Sequence, residues 1–225
     1  MRVKIYQIDP ELDVNRVKFM SLDMLQKTQD AAEVDPRIYQ EVFNAEIDET
    51  EPEEIYARFN TDGHPLFRGH SLSVSDVVVT DDGALFCDTV GFTKIPFDES
   101  KANKPADLMR IVYVEPHRWA YSAEVLNSLE AEQKAVGGYI EPIYNDDGTC
   151  LVGNEEAKLI GMEGNRHLDW GGVIAGPIFV CGTTEDDFRS LTQDEEEKYL
   201  TKYARPEFIS QQEVQADTGF ILYGF

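Results

Sequence analysis

Alternating apolar and polar side chains in the first half of the chain predict a series of short strands. Residues 3–8 alternate in this way, and residues 38–47 do so less regularly. The clearest signal is a hairpin, in which two β-rich runs at 76–80 and 84–88 flank a polar Asp-Asp-Gly turn. Residues 90–97 are expected to extend the same sheet.

Two helices and one further short strand are predicted between these segments. Apolar positions on one face and Ser21 as N-cap favour a helix over Ser21–Gln29, preceded by a short strand at Val17–Met20. The acidic run Asp48–Glu54 is typical of a helix start, because carboxylates interact favourably with the positive end of the helix dipole. Thr50 is the expected cap, and Pro52 falls in the first turn.

The second half of the chain begins with a strongly apolar strand at 108–115. Roughly helical spacing of apolar residues predicts a long helix at 121–136, capped by Ser122 and ended by a pair of glycines. A second hairpin follows, with strands at 139–144 and 149–152 around an Asn-Asp-Asp-Gly turn.

Three further elements are predicted towards the C-terminus. They are a short helix at 155–160, one buried strand at 173–181 and a helix at 192–204. The last helix has the spacing of a capping box, with Thr192 three residues before Glu195.

This irregular mixture of strands and helices predicts an α+β fold, made of two small mixed domains with antiparallel hairpins. The predicted domains are 1–97 and 108–206, joined by a polar linker at 98–107 that contains a proline. The tail, 207–225, ends in Gly-Phe-Ile-Leu-Tyr-Gly-Phe, which suits either a packed strand or a sticky partner-binding segment.

The composition restricts the classes of function. Among 225 residues, 43 are acidic and 20 basic, for a net charge of −23. Such a charge disfavours direct nucleic-acid binding and docking on anionic membranes. The N-terminus lacks a signal-peptide pattern, and no apolar run is long enough to span a membrane. Three widely spaced cysteines, Cys87, Cys150 and Cys181, are expected to be free, buried thiols in a reducing cytosol.

Histidines and carboxylates in the loop before the first hairpin are candidates for ligand binding or hydrolysis. They are His64, His70 and Asp76. Their spacing matches no standard metal signature, and no nucleophile elbow is present, so no metal and no cofactor is predicted. The simpler interpretation is a structural turn whose side chains satisfy backbone donors.

A second candidate ligand site lies in the glycine-rich region of the second half. Asn165, Arg166 and His167 form a polar group there, and a guanidinium binds carboxylate or phosphate in a bidentate manner. No phosphate-binding glycine motif accompanies them. A structural pair between Arg166 and a carboxylate is the competing interpretation.

Several motifs resemble known families. The opening VKIYQI and the segment GHSLSVSDVV at 69–78 resemble the YodL-like domain over residues 1–97. The motifs GYIE, NEEAKL, GNR and IAGP in the second half resemble the family called domain of unknown function 3846, over 109–204. Both resemblances imply a phage, plasmid or conjugative element as the setting, and neither implies a catalytic residue.

Together, charge and resemblance lead to a hypothesis: a non-enzymatic accessory protein that binds a host protein with a basic surface, as an acidic DNA mimic with an anti-restriction role. Carboxylates spaced like DNA phosphates would carry the binding, and the candidates are Glu49, Glu51, Glu53, Glu54, Asp186, Asp187, Glu195 and Glu196. The alternatives are a small-molecule binder or hydrolase that uses the two histidine-containing loops, and a structural module of a larger assembly.

Overall fold

The computed structural model describes residues 1–169 and 171–221, with side chains described as far as residue 217. The chain forms two compact units, Met1–Ala106 and Asp107–Phe225. Both are mixed α+β with antiparallel sheets, which confirms the predicted fold class. Among the described residues, no helix is both long and apolar enough to cross a membrane.

The first unit is built on a five-stranded antiparallel sheet. The strands are β1 (Arg2–Ile8), β2 (Tyr39–Glu46), β3 (Val77–Thr80), β4 (Gly83–Cys87) and β5 (Phe92–Ile95). Their spatial order is β2-β1-β3-β4-β5, so the N-terminal strand lies in the interior of the sheet. The helices are α1 (Leu22–Gln29) and α2 (Pro52–Asn60).

One face of this sheet packs against α1 and the other against α2. Leu25 of α1 is buried with Tyr6, Tyr39 and Phe86. On the opposite side, Phe43, Phe59 and Phe67 form an edge-to-face aromatic cluster, an arrangement that contributes stability beyond the buried area. The α1 helix begins as predicted, with Ser21 as N-cap. The prediction of a strand at Val17–Met20 was wrong, because that segment forms turns.

The segment 98–107, predicted as a linker, contributes to the first unit. It contains a short 3₁₀ helix, Glu99–Lys101. The backbone N–H of Asn103 donates to the carbonyl of Tyr39 (2.8 Å) and its own carbonyl accepts from Glu41 (2.8 Å), in a bridge alongside β2.

The second unit contains a six-stranded antiparallel sheet and a separate two-stranded sheet. The strands are β6 (Leu108–Val114), β7 (Tyr121–Leu126), β8 (Ile140–Tyr144), β9 (Thr149–Asn154), β10 (Gly164–His167), β11 (Val173–Ala175), β12 (Ile178–Thr183) and β13 (Phe188–Arg189). The order of the larger sheet is β7-β6-β12-β9-β8, with β12 at its centre and β13 also paired with β12; β10 and β11 form the smaller sheet. The helices are α3 (Leu129–Val136), α4 (Gln193–Lys202) and α5 (Gln211–Ile221).

The predicted helix at 121–136 was wrong over its first part. Tyr121, Ala123 and Val125 are buried and their neighbours are not, which is the period-two pattern of a strand, β7. The helix α3 starts after Ser128, which caps it by accepting from the N–H of Ala131 (3.4 Å).

Two other segments differ from their predictions. The single strand predicted at 173–181 is divided into β11 and β12 by Gly176, which has φ = +74°, and Pro177. Residues 155–160 form turns rather than a helix. In the tail, 211–221 is helical and not a strand, and 222–225 lie outside the described residues.

Candidate functional site

The first acidic cluster surrounds the start of α2. Glu49 forms an ion pair with Arg58 (3.2 Å) and is half-buried. The carboxylate of Glu54 accepts from the backbone N–H of Glu51 (3.5 Å), and Glu51, not Thr50, is the N-cap. Glu51 and Glu53 are exposed. Part of this cluster therefore stabilises the helix start, while the rest faces solvent.

The second acidic cluster is divided in the same way. Asp186 and Asp187 are exposed in the turn between β12 and β13. Glu195 accepts two hydrogen bonds from the guanidinium of Arg189 (2.7 and 2.8 Å). These bonds, together with those from Thr192 at the helix start, lower the pKa of Glu195 to about 2 despite its partial burial. Glu196, also largely buried, lies 3.5 Å from a guanidinium nitrogen of Arg110.

An acidic cleft opens beside Asp186 and Asp187. It has a volume of about 480 Å³ and lies where the start of α3 meets the turn between β12 and β13. The residues that line it are Asn127, Ser128, Leu129, Glu132, Tyr144, Thr183, Thr184, Glu185, Asp186, Asp187 and Phe188. We call this feature the acidic cleft.

Glu132 is the buried member of the acidic cleft. Only 5% of the residue is exposed, and its carboxylate makes no hydrogen bond or ion pair with any described residue. Burial raises the pKa of Glu132, and the charge of Asp187 raises it further. The sequence does not single out Glu132, because an acidic side chain in a helix that also contains Glu130 is typical of a solvated surface.

In the first unit, His70 and Asp76 meet through Gln7 of β1. The side-chain amide of Gln7 donates to the Asp76 carboxylate (2.8 Å) and to the His70 carbonyl (2.8 Å), and its oxygen accepts from the His70 N–H (3.0 Å). His64 does not belong to this group. Its Nδ1 accepts from the N–H of Leu66 (3.1 Å), and its ring packs edge-on against Phe43.

Asp76 is completely buried, with one oxygen satisfied and the other not. Its Oδ2 accepts from Gln7 and from the backbone N–H of Ser73 (2.9 Å), whereas Oδ1 has no hydrogen-bond partner. Burial raises the pKa of Asp76 to about 7, although the bonds from Ser73 and Gln7 oppose the rise. Nε2 of His70 is likewise buried without a partner. The arrangement links the loop to β1, as the structural-turn interpretation predicts.

A second polar network in the first unit was missed by sequence analysis. The hydroxyl of Tyr6 lies 2.7 Å from Glu99 and 3.3 Å from the fully buried Glu41. Lys4 pairs with Glu99 (2.7 Å) and Lys104 with Glu41 (3.2 Å). The network anchors residues 98–107 to the sheet. No motif or regular spacing in the sequence indicates that these residues lie close together.

Arg166 and Asn165 lie inside the second unit rather than at its surface. The amide of Asn165 donates to the carbonyls of Val114 (2.9 Å) and Gly176 (2.7 Å). Arg166, 1% exposed, donates to Asn165 and to the carbonyls of Arg118 (2.7 Å) and Tyr203 (3.1 Å). Burial lowers the pKa of Arg166. The expected carboxylate partner is replaced by carbonyl oxygens, so Arg166 joins β10 to the loop between β6 and β7 and to the end of α4.

His167 points away from Arg166 and holds the tail. Its ring nitrogens lie 2.5 Å from Glu207 and 2.9 Å from Glu213, which raise its pKa. Lys158 forms an ion pair with Asp217, also in α5. The tail is therefore fixed to β10 and the adjacent turns by charged contacts.

No group of three metal-ligating side chains occurs within residues 1–169 and 171–221. The six residues proposed for ligand binding also fall in two separate units: His64, His70 and Asp76 in the first, and Asn165, Arg166 and His167 in the second. A mostly apolar cavity of about 360 Å³ lies between β9, β11 and the turn that contains Lys158 and Leu159. All three cysteines are buried free thiols, as predicted.

Comparisons with known proteins identify both halves of the chain. The model of the YodL-like domain matches residues 2–97, and the model described as Domain of unknown function (DUF3846) matches residues 109–204. No curated protein and no solved structure matches the chain. These matches agree with the division into units at Ala106 and with the motifs in each half. The chain therefore consists of a YodL-like domain followed by a DUF3846 domain.

Proposed function

We propose that this protein is a non-enzymatic accessory protein of a phage or conjugative element. It acts in the bacterial cytoplasm and binds a host restriction or defence nuclease at the basic surface that normally holds duplex DNA. Its exposed carboxylates take the place of DNA phosphates, and the association is strengthened by long-range attraction.

The supporting observation is the difference in how the acidic and the basic side chains are paired. Most of the 20 basic residues are engaged in ion pairs with acids of the same chain. They are Lys4, Arg37, Arg58, Arg68, Lys101, Lys104, Arg110, Arg118, Lys158, Arg189, Lys198 and Lys202. The acids outnumber them by more than two to one, so the remaining surface charge is dominated by carboxylates. Glu53 and Asp186 are exposed and pair with no described residue.

The geometry supports partner binding better than hydrolysis. Asp76, Asn165 and Arg166 are buried and engaged with their own chain, and His167 is held between two carboxylates. A substrate would need to displace these contacts, whereas a protein partner would find the exposed acids available.

The proposal is tested in cells that carry a restriction system and are challenged with unmodified phage. Expression of the protein is expected to raise the number of plaques. The double variant Glu53→Lys with Asp186→Lys is expected to lose this protection, because it reverses one exposed charge in each acidic cluster. The control, Glu33→Lys with Glu156→Lys, makes the same change in net charge at exposed sites outside the clusters.

Binding is then measured with the purified nuclease from the protected strain. We expect affinity to fall as salt rises, and we expect duplex DNA to compete. Equal plaque counts with and without the protein, across restriction systems of types I, II and III, would refute the anti-restriction role. Equal protection by both double variants would refute the role of the clusters.

A further inference from the structure

The acidic cleft contains a buried carboxylate without a partner. Glu132 lies one turn into α3 and is 5% exposed, yet no described residue donates a hydrogen bond to its carboxylate. An ionised carboxylate with little access to water and no partner is unfavourable, and neighbouring like charge adds to the penalty. Asp187 supplies such a charge, and the pKa of Glu132 is raised by burial and by Asp187. A cation in the cleft would supply the missing partner.

The size of the cleft and the spread of its acids argue against a metal ion. A volume of about 480 Å³ is within the range of sites for organic ligands. The carboxylates that line it are Glu132, Glu185, Asp186 and Asp187, but no three acidic, histidine or cysteine side chains in the described parts of the chain are placed to hold a metal ion. An organic cation whose hydrogen-bond donors are separated can contact carboxylates that are too far apart to bind one metal ion.

Two aromatic residues also line the acidic cleft. They are Tyr144, at the end of β8, and Phe188, at the start of β13. Aromatic faces attract guanidinium and ammonium groups through the ring quadrupole, and the attraction is strongest for weakly hydrated organic cations. Carboxylates and aromatic rings in one cavity therefore favour an organic cation, with a planar guanidinium able to donate two parallel hydrogen bonds to one carboxylate.

We propose that the acidic cleft binds an organic cation of the guanidinium or primary ammonium type, with Glu132 as its central anchor. Such a group occurs on a free molecule or on an arginine or lysine side chain of a protein. The second source rests on the proposed function, since a basic nuclease would present such side chains.

The test measures binding by calorimetry to the full-length protein, with agmatine as the free cation and Gly-Arg-Gly as the side-chain cation. Gly-citrulline-Gly is the neutral control, because citrulline keeps the shape of arginine and loses its charge. The protein variants are Glu132→Gln and Asp187→Asn, and the control is Glu130→Gln, which changes an exposed acid of the same helix outside the cleft. Thermal unfolding checks that each variant is folded.

We expect saturable binding of agmatine that Glu132→Gln weakens by about tenfold or more and Glu130→Gln leaves unchanged. Binding of agmatine but not of Gly-Arg-Gly would support the site with a free cation as occupant; binding of both would support a side chain from a partner. Equal binding of the citrulline peptide, or agmatine binding insensitive to both cleft variants, would overturn the proposal. Failure of both agmatine and Gly-Arg-Gly to bind would overturn it as well. If the wild-type protein binds the cations but does not protect phage from restriction, the proposed function is refuted and the cation site is not.

Discussion

Replacement of Asp76 by Asn isolates the effect of a buried carboxylate on the stability of the first unit. Asn keeps an oxygen that accepts from Gln7 and Ser73, and its amide takes the place of the unpartnered Oδ1. The substitution therefore removes the titration of Asp76 with little change in shape. At high pH we expect it to stabilise the protein, although it alters a residue with no exposed surface.

The magnitude follows from the two pKa values of Asp76, 3.8 in the unfolded chain and about 7 in the folded protein. At pH values between these two, the unfolded state loses the proton while the folded state keeps it. The contribution of Asp76 to stability is therefore lost as pH rises from 3.8 to about 7, and it does not change further above that pH. At roughly 1.4 kcal/mol per pKa unit the full effect is on the order of 4 kcal/mol, of which about 3 kcal/mol falls between pH 5 and pH 8.

Urea unfolding of the wild type and of Asp76→Asn at pH 5 and pH 8 measures this difference. Circular dichroism follows both units, while tryptophan fluorescence reports on the second unit, which holds Trp119 and Trp170. The fluorescence transition should be the same in both proteins. Asp82→Asn, at an exposed turn in the first unit, is the matched control. If wild type and Asp76→Asn lose stability in parallel between pH 5 and pH 8, Asp76 does not retain its proton and the reasoning fails.

Three further outcomes are expected. Glu195→Gln should lower the free energy of unfolding at pH 7 by about 2 kcal/mol in fluorescence-monitored urea unfolding, because it weakens the pair with Arg189 and the helix cap. The stabilisation by Glu195 is present above pH 4.5 and is lost as pH falls through about 2, so an undiminished difference between the two proteins at the lowest pH would contradict this prediction. Phe43→Ala should lower the stability of the first unit by about 3–5 kcal/mol in urea unfolding followed by circular dichroism, since it opens the aromatic cluster, and a change under 1 kcal/mol would mean that the cluster is loosely packed. The three cysteines should react with a thiol reagent only after unfolding, because all are buried and burial raises the pKa of each; fast labelling of the native protein would show that one is accessible.

Local signals predicted much of the fold. Both hairpins have their glycine-containing turns as expected, and Ser21 and Thr192 cap helices at the predicted places. These features depend on side chains that contact backbone a few residues away, so their positions are visible in a short window of sequence.

The errors arise where distant contacts decide the outcome. The run at 121–126 pairs with β6 along its whole length, and this pairing determines a strand where apolar spacing also permits a helix. The strand at 164–167 has the sequence Gly-Asn-Arg-His, with low strand propensity, and it is held by pairing with β11. Neither pairing is visible in a short stretch of sequence.

The candidate sites show the same division. The density of acids in the sequence indicates Asp186 and Asp187, but not Glu132, which belongs to another element more than fifty residues earlier. Arg166 was predicted to lie in a polar patch, whereas the folded chain surrounds this residue with carbonyl oxygens. Charge density can be counted from a sequence; the burial of a charge depends on which elements pack over it.

The central position of β12 has a consequence for synthesis on the ribosome. β6 and β9 do not pair with each other, and each pairs with β12, which follows both in the chain. Until residues 178–183 leave the exit tunnel, the hairpins β6–β7 and β8–β9 each present an open edge, able to pair with another nascent chain. The first unit meets no such delay, because its last strand ends at Ile95. A chain whose synthesis ends shortly before Ile178 would therefore contain one finished unit and two unjoined hairpins.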